Sequence, residues 1–189
     1  MFHAIIFQMV PILTAPHPVL SKPVKKITKV NKGIRDLLKE MEEALLSAKD
    51  PEGVGLAAPQ IGKSLAIFIT KPTHKSPIHI FINPQIVSEE EIPEAQKKKS
   101  HSARLEGCLS LPTIWGEVKR NPSLVLSYMD QKGRRHDKPF KGFMATIIQH
   151  EADHLNGKLF TERVLDQGGA LYKSHKNEKN EDEFEELEI

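Results

Sequence analysis

The chain is poor in cysteine, in long apolar runs and in net charge. One cysteine among 189 residues excludes an internal disulfide and any zinc site built on two or more thiolates. If Cys108 has a chemical task, it shares that task with other residue types. No apolar stretch reaches the ~18 residues that a membrane span needs. The opening MFHAIIFQMVPIL is apolar, yet no Lys or Arg precedes Lys22, so the basic head of a secretory signal is missing. The expected compartment is the cytoplasm, with an organelle as the alternative. Net charge is +2, too weak to act as a nucleic-acid or membrane field. Neither DNA nor a membrane is an expected partner. There is no GxGxxG fingerprint and no internal repeat.

The small net charge hides an asymmetry. Residues 174–189 hold two lysines and seven acidic side chains, net −5, so residues 1–173 carry +7. Such a tail is expected to be solvated and disordered, leaving residues 1–173 as one compact domain. Within it, residues 31–49 carry Ile34, Leu37, Leu38, Met41, Leu45 and Leu46 at helical spacing, an apolar stripe suited to core packing. Asn31 stands as its N-cap and Asp50-Pro51 as its stop. Residues 4–13, 65–70, 78–84 and 117–129 read as strands, and Asp130–Gly133 as a turn. The polar stretch 85–104, with Lys97, Lys98 and Lys99 in a row, reads as a loop. Residues 142–156 form a second helix closed by Gly157. Strands and two helices without regular alternation indicate an α+β fold.

The sharpest local signal is His150-Glu151-Ala152-Asp153-His154. On a helix, residues four apart share a face, so both imidazoles reach one metal ion, with Glu151 placed to hold a water. A shuffled chain of this composition carries HExxH only about 0.04 times. Ile147, Ile148 and Leu155 make this helix a buried one. Unpaired histidines and carboxylates are costly there, and a metal accounts for them. A tetrahedral site still needs a third protein ligand. Phe160 stands where an HExxHxxGxxH motif would put a third histidine, and Glu162 and the tail glutamates are the later carboxylates. Cys108, in the small-residue loop Glu106-Gly107-Cys108-Leu109-Ser110, is either a buried structural thiol or that ligand.

Taken together, three motifs resemble those of the peptide deformylase family. GVGLAAPQ (53–60) is similar to its GxGLAAxQ loop, EGCLS (106–110) to its cysteine loop, and QHEADHLNG (149–157) to its QHExDHLxG helix. HPVL (17–20) is similar to its opening segment, and the likeness covers about residues 10–165. The resemblance implies antiparallel β-sheets packed around a central helix that carries HExxH, with an N-terminal amphipathic helix. It implies Cys108, His150 and His154 as metal ligands with water as the fourth. Glu151 becomes general base and then general acid, and the Gln60 amide and Leu109 N–H stabilise the oxyanion. The ion it implies is Fe²⁺ in the cell, with Zn²⁺, Ni²⁺ or Co²⁺ able to occupy the site.

The activity so implied is removal of the formyl group from N-formylmethionyl nascent peptides, with the ribosome near its exit tunnel as a partner. Val54 N–H with the Gly55 and Gly107 carbonyls would pair an extended substrate, and Ile147 and Val54 would line the methionine pocket. Thr146 replaces a residue often aliphatic in the family, and Trp115 is placed to edge the cleft. Two other readings stand beside this one. A zinc endopeptidase would use the same HExxH with a ligand other than Cys108. A non-catalytic metal-stabilised binding protein would need no Glu151.

Overall fold

The computed structural model describes residues 10–49, 52–90 and 105–188. The first helix, α1 (Lys32–Ser47), begins where Asn31 accepts a hydrogen bond from the Ile34 N–H at 3.0 Å, the capping expected of that residue. Asp50-Pro51, its expected stop, lies outside the described residues. Among the described residues, nine strands follow in order: β1 (Gly55–Ala57), β2 (Ile67–Thr70), β3 (His79–Glu90), β4 (Leu105–Cys108), β5 (Leu111–Glu117), β6 (Ser123–Met129), β7 (Arg135–Lys141), β8 (Leu171–Lys176) and β9 (Asp182–Glu186). Between β7 and β8 come two helices, α2 (Phe143–Leu155) and α3 (Phe160–Asp166).

The strands form a five-stranded sheet, β1-β2-β3-β6-β7, and a four-stranded sheet, β4-β5-β8-β9. Every strand pair in both is antiparallel, so the fold is α+β. Strand β2 shows why the larger sheet is stable. Its four residues Ile67-Phe68-Ile69-Thr70 are all buried, because side chains alternate between faces and each face has a cover. Ile67 and Ile69 join Leu37, Leu38, Met41 and Leu45 of α1. Phe68 joins Ala145, Ile148 and Leu155 of α2. A third cluster joins the small sheet to α3 through Val118, Phe160, Val164, Leu171 and Cys108.

Several expectations are corrected. Residues 85–90 are not loop: they continue β3 and pair with β6, past two register shifts. The remainder of the expected loop, 91–104, lies outside the described residues, as do residues 4–9 of the expected first strand. Residues 10–13 are not strand, and the Leu13 N–H is donated to the Gln60 carbonyl at 2.7 Å. The expected strand 117–129 breaks between β5 and β6, where Arg120 and Asn121 turn inward to bond Glu106, Asp153 and Gln149.

The acidic segment is also ordered. Asp182–Glu186 pairs residue by residue with Leu171–Lys176, and the Leu187 N–H reaches the Leu171 carbonyl at 2.8 Å. Backbone pairing and the burial of Leu187 against the third cluster outweigh charge repulsion, although every β9 side chain stays exposed. Among the described residues, no helix is long and apolar enough to cross a membrane.

Candidate metal centre

Helix α2 places His150 and His154 one turn apart, ring centroids 5.2 Å from each other. Cys108 arrives from a different element. It ends β4, where a register shift after Gly107 closes a tight turn onto Leu111. Its Sγ lies 3.2 Å from His154 Nε2. One ligand atom from each of Cys108, His150 and His154 falls within 4.8 Å of the others. Two ligands on a tetrahedral ion sit about 3.5 Å apart, so small adjustments accommodate one ion. Glu162 is not part of this group: its Oε1 accepts the Leu159 N–H at 2.9 Å and caps α3. Phe160, in place of a third histidine, stacks on His150 instead.

A buried carboxylate oxygen without a partner argues that the group is made to hold something. His154 Nδ1 and Glu151 Oε2 have no hydrogen-bond partner, and Glu151 is 3% exposed. Leaving such atoms unsatisfied costs about 1–3 kcal/mol each. Burial pushes the Glu151 carboxyl up to about 7, the neighbouring His150 and His154 working against the shift and Cys108 and Glu106 reinforcing it. Burial opposes ionisation of Cys108, yet His154 and His150 beside it hold the thiol well below its ordinary value. A thiolate with two imidazoles is a donor set that suits a borderline or soft divalent cation.

Around these ligands lies a charged scaffold that sequence reasoning missed. His150 Nδ1 is 3.0 Å from Glu106 Oε2. That contact places the proton on Nδ1 and would leave Nε2 free to meet a metal ion. Arg120 grips Glu106 as a fork, Nε to Oε1 and Nη2 to Oε2, both at 2.9 Å. The same guanidinium reaches Asp153 at 2.6 Å, and Asp153 binds Arg163 at 2.6 Å. Burial pushes the Asp153 carboxyl up, but Arg163 and Arg120 outweigh it and hold the group below its ordinary range. Glu106 and Asp153 both sit inside the quoted motifs. Their charge in otherwise apolar surroundings was the available signal.

The other expected residues surround the same spot. Gln60 is buried on the 3₁₀ turn Ala58–Ile61. Its Oε1 accepts the Ala57 N–H at 2.8 Å, which turns the amide Nε2 toward Ser110 Oγ at 3.1 Å and Cys108 Sγ at 3.6 Å. Leu109 follows Cys108 directly, its side chain against Gly53. A Cβ at Gly55 would collide with the Glu151 carboxyl and come within 2.9 Å of Ile147, so only glycine permits this approach. Ile147 is buried beside it. Gly107 meets the ring of Trp115 in the same way. Val54 is half-buried, and its carbonyl accepts the Lys71 N–H at 2.7 Å. Strands β1 and β4, which carry Gly55 and Gly107, are the terminal strands of the two sheets.

Residues 9–169 match the family model described as polypeptide deformylase. The chain belongs to the polypeptide deformylase family. It is 38% identical over 157 residues, 82% of this chain and 73% of the relative, to a protein named peptide deformylase 2 from Prochlorococcus marinus. The crystal structure of a peptide deformylase from Thermotoga maritima superposes with a TM-score of 0.72 at 32% identity, over 82% of this chain and 97% of that one. One from Plasmodium falciparum, solved with an inhibitor, gives 0.70 at 33% identity over 83% and 92%.

Two outcomes follow from the scaffold. Replacing Glu106 by Gln removes the charge that orients His150 and is expected to weaken divalent-metal affinity about 10- to 100-fold in chelator competition. An unchanged affinity would show that Glu106 does not tune the ligand. Asp153, with its lowered native value, stabilises the fold fully above its unfolded value of about 3.9, and that contribution is lost as pH falls through the native one. Asp153→Asn leaves Arg120 short of a partner and is expected to cost about 3–5 kcal/mol near neutral pH. The variant's loss of stability on acidification from about pH 5 to 3 should be shallower than the parent's, as urea midpoints across that range would reveal.

Proposed function

We propose that this chain removes the formyl group from N-formylmethionyl peptides as they leave the ribosome, releasing formate and a free N-terminus. One observation carries the reading: a buried thiol and two imidazoles within 4.8 Å of one another, beside a buried glutamate whose Oε2 has no partner. Cys108, His150 and His154 would hold one divalent ion, Fe²⁺ in the cell, with Zn²⁺, Ni²⁺ and Co²⁺ suited to the same donors. Bound there, the ion acts as a Lewis acid that makes water easier to deprotonate near neutral pH. In this reading α2 is the central helix about which both sheets and the amphipathic α1 are arranged.

The chain's own groups do the rest. Glu151 takes a proton from the attacking water, a task suited to a carboxyl whose value lies at about 7. As oxygen bonds to the formyl carbon, negative charge grows on the formyl oxygen. The Gln60 amide and the Leu109 N–H stabilise it, each worth about 3 kcal/mol. Gln60 is already held in orientation by Ala57, so little reorganisation is needed. Glu151 then gives its proton to the nitrogen, the C–N bond breaks, and formate leaves. Substrate would lie extended between β1 and β4, pairing with Val54 N–H and the Gly55 and Gly107 carbonyls, with its methionine against Ile147 and Val54.

Formate release from a formyl-Met dipeptide, with metal content measured on the same anaerobic sample, tests this. Glu151→Gln should keep its metal and lose about 10²–10⁴ of kcat/KM. Cys108→Ser should lose both. Cleavage of long unformylated peptides with no formate release would point to an endopeptidase. A Glu151→Gln variant with full activity would remove Glu151 from the chemistry.

A further inference from the structure

The β8–β9 hairpin lies beyond residues 9–169 that match the family model, yet it is built onto the sheet whose first strand ends in Cys108. Strand register shows what it presents. Gly107 lies opposite Trp115, Trp115 opposite Tyr172, and Ser174 opposite Phe184. Opposed residues share a face, so one face of the small sheet carries Gly107, Trp115, Tyr172, Ser174 and Phe184. The opposite face carries Gly116 and Leu171, which pack on Val164 of α3. The first face therefore points outward.

On that outward face the aromatics form a continuous ledge starting at the metal centre's edge. The Trp115 ring covers Gly107, where a Cβ would come within 2.8 Å of it. Its indole N–H is donated to Ser174 Oγ at 3.0 Å. Phe184 meets the indole edge-on, centroids 5.8 Å apart and planes at 89°, yet remains 44% exposed. Leu187 tucks into the core beneath, so the exposure of Phe184 is set by register. Beside the ledge every residue of Asp182–Glu186 is exposed. Register turns Glu183 and Glu185 to the opposite face, and Asp182 is paired with Lys176 at 2.8 Å. Glu186 shares the outward face, opposite Tyr172.

Building on the deformylase reading, we propose that this hairpin is a specificity surface for the part of a formylated peptide beyond its methionine, favouring an apolar side chain followed by lysine or arginine. The ledge is continuous with the edge strand that would pair with the substrate, and Glu186 supplies the complementary charge. Three strand spacings separate β4 from β9, about 14 Å, a span that about five extended residues cover. Trp115 takes the apolar side chain over Gly107, Phe184 backs and extends it, and Glu186 attracts the basic residue.

The test uses the metal-loaded full chain and three substrates: a formyl-Met-Ala dipeptide and two peptides of about eight residues. One long peptide carries Phe followed by Lys residues after Met-Ala, the other Ser followed by Glu. The parent should prefer the Phe-Lys peptide over the Ser-Glu one about ten-fold in kcat/KM at low salt, with the preference shrinking as salt rises. Phe184→Ser should cut that ratio about five-fold. Glu186→Lys, an exposed change that leaves the core intact, should abolish the preference for lysine. A parent that does not distinguish the long peptides, variants that keep the parental ratio, or variants that lose all three substrates equally would each overturn the proposal. Failure of the metal-loaded parent on the dipeptide would sink the deformylase reading itself, and this inference with it.

Discussion

A thiol, two imidazoles and three carboxylates are packed into one small volume, and the rest of the structure answers to that concentration of polar groups. Each group is expensive to take out of water alone. Arg120 offsets part of the cost by binding both Glu106 and Asp153. Glu106 passes that compensation to His150. Two atoms stay uncompensated: Glu151 Oε2, beside the three metal-capable side chains, and His154 Nδ1, on the ring edge away from Cys108 Sγ.

The fold delivers these groups from three directions. Helix α2 supplies both histidines and Glu151, while its opposite side is bound to the larger sheet through Ala145, Ile148 and Leu155. The smaller sheet brings Cys108 and Glu106, and the turn after β1 brings Gln60. Glycines at 55 and 107 allow the terminal strands to approach without side chains in the way. A loss at any one of these contacts would leave the ligands present but misplaced.

Some of this was legible in the sequence. Apolar spacing located α1 and α2, and the HExxH pattern with an isolated cysteine pointed to one metal group. The rest depended on contacts that periodicity does not encode. Helix α3 spans Phe160–Asp166, too short to show a helical period. Arg120 and Glu106 are 14 residues apart, and nothing local announces their pairing. The hairpin strand Asp182–Glu186 alternates only charge and one phenylalanine, so its composition resembled a solvated tail. Its order comes from backbone pairing with β8 and from Leu187 beneath.

The central claim is that Cys108, His150 and His154 together hold one ion. Titrating metal-free protein with Co²⁺ under anaerobic conditions, while recording the thiolate-to-cobalt charge-transfer band, tests it most directly. The account predicts saturation at a single equivalent of ion per chain, with the charge-transfer band present in the parent and absent from Cys108→Ser. A bound ion with no sulfur signature in the parent, or no stoichiometric binding at all, would contradict it.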